Sequence, residues 1–369
     1  MSKDTVKRRR LDLLPGRTIP HQDAPLLAGG QAFYCSRTTT GTAFSMAQDR
    51  YLSVHVEDPR ETRARLALVK TRLAAHGVRL PPGRLARFER LSEDFAAKTL
   101  SPALAGRPRD LAELLEGNRD FHEVAVIVEH LLPPAPPADP AVLSKLKLVL
   151  GGAPLPSEDA NPLPRSTQFE LYVAALCKRG GLAVKFREPD CVITVGGVRL
   201  GLAAKRAGGP GHVRRLFVDA ASQLRRAGLV GVVALSLDRL FRPNDERLFS
   251  PSAEALKPEA SRIIEATLRP HIPALDRAGA SSPALALFAF VVVPVAVPRE
   301  NRVGRVHSWT STIQESGSQR SSRRRRKGSA PHASATSRPA VGSRRGLPSG
   351  GHMKAWHSSC SSVRCRSGA

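Results

Sequence analysis

The sequence predicts an α/β protein, with a mostly helical N-terminal domain, a core of order helix, three strands, helix, strand, and a disordered basic tail. Three observations carry this. Residues 167–238 alternate helical apolar spacing with short β-branched runs closed by turn residues. Residues 59–132 repeat apolar positions at helical spacing. Beyond residue 301 the composition shifts to Ser, Arg, Gly, Pro and His with almost no apolar periodicity.

The chain of 369 residues is long enough for about two domains and a sizeable core. Its formal charge is +25, from 57 Lys and Arg against 32 acidic residues. Residues 301–369 hold 14 of the basic residues and a single acid, which leaves a body of +12. A positive body favours polyanionic partners such as nucleic acid. The five cysteines form no CxxC pair, and Cys177 and Cys191 fall in apolar runs that suit buried thiols. That usage fits a reducing, cytoplasmic compartment. No apolar segment follows the basic start in the manner of a secretory leader, and the longest apolar run, Ala284 to Val297, is too short to cross a bilayer. No membrane association is expected.

Along the N-terminal part, Tyr51 to Val56 alternates like a strand. Asp58-Pro59 is an N-cap followed by proline at the first helical position. The helix it starts carries Leu66, Val69 and Leu73 and runs to Gly77. A second helix covers Arg84 to Lys98, with Leu85, Phe88, Leu91 and Phe95 on one stripe, and a third covers Asp110 to Leu132 with a break near Gly117-Asn118. Residues 1–132 therefore read as the helical domain, and 133–164 as a Pro/Gly-rich linker opened by PPAPPADP, with a short apolar segment at Val142 to Leu150. Residues 165–300 form the second domain, in which Ser252 to Leu268 reads as a helix and Ala284 to Val293 as a buried strand. Residues 301–369 read as disordered. The Arg323–Lys327 run suits phosphate contacts, but out-of-frame translation of GC-rich DNA yields the same composition. No function is built on that segment.

Within residues 165–300, AVKF (183–186) is closed by Arg187-Glu188-Pro189, and CVITV (191–195) by Gly196-Gly197, a two-residue hairpin signal. VRLGLAAK then pairs back. Leu200, Leu202 and Ala204 share its core face, while Arg199, Gly201, Ala203 and Lys205 face a cleft or solvent. Pro189-Asp190 and Ala203-Ala204-Lys205, with Glu170 in the preceding helix and Gln223 in the following one, resemble the PD-(D/E)xK nuclease superfamily, whose restriction-endonuclease-like fold has an αβββαβ core. The resemblance covers about residues 165–240. It implies Asp190 and Glu170 as Mg²⁺ ligands, Lys205 as the group that orients or activates the attacking water, and Gln223 as an accessory. The chain is a degenerate member by this pattern, because Ala203 stands where the second strand carboxylate is expected. Asp219, four residues before Gln223 on one helical face, is a further source of a carboxylate.

The chemistry has its own logic. Mg²⁺ takes hard oxygen ligands, often one or two carboxylates plus waters, and acidifies a bound water while offsetting charge at the phosphorus. A lysine adds positive charge where negative charge develops. Structural roles compete for each residue. Thr167 and Glu170 have capping-box spacing, Asp190 suits a strand-start cap, Lys205-Arg206 suits a solvated strand end, and Gln223 a solvated helix face. The AGGPG loop at 207–211 and the helix N-terminus behind it offer backbone amides to a phosphate, and Arg214, Arg215, Arg225 and Arg226 make that helix basic. A flexible loop and an ordinary solvated face are the preferred reading. The eleven histidines form no zinc-type spacing, and no P-loop, GxSxG or dinucleotide fingerprint occurs. The expected function is Mg²⁺-dependent hydrolysis of nucleic-acid phosphodiesters. The alternative is a catalytically inactive module of the same type that binds nucleic acid or a protein partner.

Overall fold

A computed structural model describes residues 51–57, 59–96, 107–241, 248–279 and 282–313, together with strand backbones at 26–27, 31–38 and 41–46. The described residues belong to one compact unit, a mixed α/β fold. The short strands β1 (Leu26–Leu27), β2 (Gln31–Thr38) and β3 (Gly41–Met46) form a small antiparallel sheet of their own. The main sheet draws on β4 (Tyr51–Glu57), β5 (Ala183–Phe186), β6 (Cys191–Val195), β7 (Val198–Arg206), β8 (Gly231–Ser236), β9 (Leu248–Phe249), β10 (Ala284–Val297) and β11 (Arg302–Ile313). Their order is β4-β11-β10-β8-β7-β6-β5, with β9 pairing the far end of β10. The centre, β7-β8-β10, is parallel and both flanks are antiparallel. A sheet of this kind needs both faces covered, and it has both.

One face carries α1 (Pro59–Ala75), α2 (Arg84–Ala96), α3 (Pro108–Leu131), α4 (Pro140–Val149) and α5 (Leu163–Arg179). Their apolar stripes share one core with Leu200, Leu202, Ala204, Val232 and Ala234 of the sheet. The other face carries α6 (Val213–Arg226), α7 (Ala253–Leu268) and α8 (Ile272–Gly279), packed on Ala203, Val233, Leu235, Val291 and Val293. The order α5-β5-β6-β7-α6-β8 is the helix, three strands, helix, strand read from the sequence. Gly196 and Gly197, both at positive φ, join β6 to β7 as the dipeptide predicts. No helix among the described residues is long and apolar enough to cross a membrane.

Four expectations are corrected. First, the segment from Arg302 is not disordered throughout: Arg302–Ile313 is a sheet strand between β10 and β4. Val303 and Val306 are buried in it, and Arg305 donates to Glu57 at 3.0 Å, so charged residues that mimic a tail have partners across the sheet. The Arg323–Lys327 run lies outside the described residues. Second, the linker contains a helix. Asp139 accepts from the Ala141 N–H at 2.8 Å, Pro140 opens α4, and Val142, Leu146 and Val149 are buried. Third, residue 133 marks no break in the core, since one apolar cluster runs from Leu66 of α1 to Val303 of β11.

Fourth, α3 passes unbroken through Gly117 and Asn118. The glycine marks a close approach of helices: a Cβ there would stand 2.6 Å from Phe88 Cβ of α2. Alanine outranks glycine in a helix by about 1 kcal/mol, but Phe88 is fixed in the core at 1% exposure and overpacking costs about 1–3 kcal/mol. Gly117→Ala is therefore expected to lower stability in urea denaturation. A raised midpoint would show that helix propensity outweighs the clash.

Candidate active site

The site forms where β6 begins and β7 ends. Because β6 and β7 are antiparallel with Cys191 opposite Leu202, the residue before β6 lies beside the last residues of β7. Pro189 fixes that corner by packing over Gly201, where a Cβ would stand 3.2 Å from the proline ring and 2.5 Å from Leu224 of α6. Asp190 follows. Its Oδ2 accepts from the Ala204 N–H at 2.7 Å and from Lys205 Nζ at 3.3 Å. Both side chains are mostly buried, Asp190 at 12% and Lys205 at 18% exposure.

Burial pushes the Asp190 carboxyl up to about 6; Lys205 pulls the other way, and the charge of Glu170 raises it further. Glu170 reaches the same region from α5 and accepts from Lys145 of α4 at 2.8 Å. Its capping-box role is ruled out: α5 begins at Leu163, so Thr167 and Glu170 lie inside the helix. The strand-cap role of Asp190 is real, through the Ala204 N–H, and the lysine contact comes in addition to it.

The structure thus brings Asp190 and Lys205 into contact, with Glu170 near enough to be felt electrostatically. Ala203 is elsewhere. The expectation that its face of β7 opens to a cleft fails, because α6 covers that face and Ala203 is fully buried with Val213, Phe217 and Ala220 in one apolar cluster. Gln223 has its amide oxygen buried without a partner, and Asp219 is exposed on α6. Among the described residues, no group of three His, Cys, Asp or Glu side chains could hold a metal ion.

Sequence reading missed a second polar region on the α3 face. Asp120 is fully buried and takes Arg84 at 2.7 Å and Arg165 at 3.0 Å on Oδ2, with Arg119 at 3.0 Å on Oδ1. Burial alone would raise its pKa; the three guanidinium groups hold it well below the usual carboxylate range. Gln168 donates to Glu123 at 2.6 Å, and Arg206 donates to Glu123 at 3.1 Å. Asp238 closes the set, accepting from the Val292 N–H at 2.8 Å and the Ser236 hydroxyl at 3.0 Å. No spacing signal marks this cluster, because its members come from α2, α3, α5, β7 and the short helix Asp238–Phe241 after β8.

Three histidines that looked scattered also meet: His307 lies 5.5 Å from His55 and 5.1 Å from His122, ring centre to ring centre. Burial and the Arg305 charge lower the pKa of all three, which favours neutral rings beside the arginine. Cys177 and Cys191 are free, buried thiols, and burial pushes Cys177 up to about 12. Comparison with known proteins yields no matching family model, no matching curated protein and no matching solved structure.

The raised Asp190 carboxyl has a thermodynamic consequence. Between pH 3.8 and about 6 the folded protein keeps a proton that the unfolded chain releases, so stability falls as pH rises through that window and the loss is complete above it. At about 1.4 kcal/mol per pH unit, it amounts to roughly 3 kcal/mol at neutral pH. Asp190→Asn keeps an acceptor for the Ala204 N–H without the buried charge. Its melting temperature is expected to exceed that of the wild type at pH 7.5 and to converge with it near pH 4. A difference that does not vary with pH would refute the assignment.

Proposed function

We propose that this chain is a Mg²⁺-dependent, nuclease-like protein that acts on phosphodiester bonds of nucleic acid in the cytoplasm, with a restriction-endonuclease-like core over residues 165–240. The contact between Asp190 and Lys205 carries the reading: an acid and a lysine fifteen residues apart share one buried corner at 3.3 Å. A carboxyl held at about 6 by burial is kept at the expense of stability, which is the pattern of groups retained for chemistry. Free thiols at Cys177 and Cys191 agree with a reducing compartment.

The donor set suits Mg²⁺ in its sparse form. Asp190 and Glu170 offer hard oxygens from the sheet and from α5, and this ion binds through one or two carboxylates while retaining waters. The raised Asp190 owes most to burial and a smaller part to the Glu170 charge, and a divalent cation between the two carboxylates would relieve that smaller part. Once bound, the ion supplies an acidified water and offsets charge at phosphorus. Lys205 holds a positive charge beside the reacting phosphate, in surroundings where low water content strengthens it. Asp190 keeps Lys205 oriented through the shared Oδ2, and the Ala204 N–H keeps Asp190 itself in place.

A second reading has its own support. Ala203 brings no carboxylate and Glu170 is engaged with Lys145, which favours a catalytically inactive module that binds nucleic acid or a protein partner.

Cleavage of labelled single- and double-stranded DNA and RNA with Mg²⁺ or Mn²⁺ separates the two. Wild-type activity is expected to drop by about 100-fold or more in Asp190→Asn and in Lys205→Met. Equal turnover in those variants would remove the proposed site. Binding without cleavage by the wild type would assign the chain to the inactive module.

A further inference from the structure

The face of α6 turned away from the sheet forms one wall of a cleft of about 420 Å³, closed on the other side by α8 and the turn at Ser282. Such a volume lies within the roughly 300–1,000 Å³ of small-ligand sites. Arg214 and Arg225 reach it from α6 and Arg277 from α8, with Ser222 and Ser282 adding hydroxyl groups and Ala221 and Ala278 leaving room on the floor. All three arginines are exposed, and none is ion-paired with a carboxylate among the described side chains. Arg215 on the same helix is exposed and likewise has no ion pair among the described side chains, but it does not line the cleft, whereas other surface arginines are paired. Arg226 lies 3.6 Å from Glu188, Arg262 lies 2.7 Å from Glu259, and Arg269 lies 2.6 Å from Glu265. Asp219, on the same helix, does not line the cleft.

We propose that this cleft binds phosphate groups. Three guanidinium groups converge on a concave space with no carboxylate among its lining residues, and arginine forks fit phosphate oxygens two at a time. Serine hydroxyls complete a donor set with no acceptor bias toward a cation. The body of the protein, at +12 over residues 1–300, attracts polyanions toward this surface. A single guanidinium on an open helix would be a solvated side chain; α8 converts the α6 stripe into a walled site. The phosphate belongs either to a nucleic-acid backbone or to a small phosphorylated molecule, and the same contacts serve both. The inference stands apart from the Asp190–Lys205 site.

The test uses the full chain in EDTA, so that cleavage plays no part. A fluorescent single-stranded oligonucleotide is titrated by anisotropy, and ADP and inorganic pyrophosphate by calorimetry. The triple variant Arg214→Gln, Arg225→Gln, Arg277→Gln is compared with a control that loses two exposed, carboxylate-paired arginines, Arg262→Gln and Arg269→Gln. The triple variant is expected to bind about tenfold more weakly or worse, with the control near wild type, and its salt dependence for the oligonucleotide is expected to flatten by about two to three in slope. Loss confined to the oligonucleotide identifies backbone phosphates, whereas loss for ADP and pyrophosphate identifies a small ligand. Since all three side chains are exposed, the variant should melt with the wild type; if it does not, the single Arg277→Gln on α8 takes its place. Unchanged affinity in the variant, or no binding of any probe by the wild type, overturns the proposal.

Discussion

Asp120 is the group on which the helical face depends. It is fully buried, and the three guanidinium groups on its two oxygens arrive from α2, α3 and α5. A lone carboxylate in such a place would be far too costly to keep ionised. Here the charges compensate one another, and the pairs tie α2 and α5 to α3. Removing one partner of a buried ion pair typically costs 3–5 kcal/mol, mostly through the charge left behind. Arg84 also donates to the Val149 carbonyl at 2.5 Å, which ties α4 into the same network. Burial lowers the Arg84 pKa to about 10, which still leaves it charged at neutral pH.

That network also borders the corner where Asp190 meets Lys205. α5 supplies Arg165 and Gln168 to the buried cluster and, two residues on, Glu170 to the candidate site. The last turn of β7 does the same across the sheet. Arg206 reaches Glu123 on the α3 side, while Lys205, pointing the other way by strand alternation, reaches Asp190. One strand end is thus held from both faces. The corner where Asp190 meets Lys205 is braced by contacts outside it.

Local signals made half of this legible. Turn dipeptides, β-branched runs and helical spacing mark the order from α5 to β8, and the antiparallel register that follows from Gly196-Gly197 brings Asp190 beside Lys205. What stayed hidden is what pairs at long range. β11 carries Arg305, His307 and Ser308, polar residues that read as tail until Glu57 and His122 face them. The Asp120 cluster draws on positions 84, 119, 120 and 165, which no spacing rule connects. Gly117 reads as a helix breaker because Phe88, its reason for being glycine, is 29 residues away in the chain.

The alanine at 203 takes a different meaning once α6 is in place. A carboxylate there would sit under the helix among Phe217, Ala220 and Leu224, out of water and without a donor group in that apolar cluster. Ionised, it would face a desolvation penalty of several kcal/mol. Packing therefore favours alanine regardless of what the corner does, and it leaves the site one carboxylate short. It does narrow the chemistry. Any second oxygen ligand must come from the α5 side, where Glu170 now holds Lys145. Whether a cation can take Glu170 from that lysine turns on a competition between one ammonium, 33% exposed and solvent-screened, and a divalent charge in a drier corner. The doubled charge favours the ion, whereas the water it would have to shed favours the lysine.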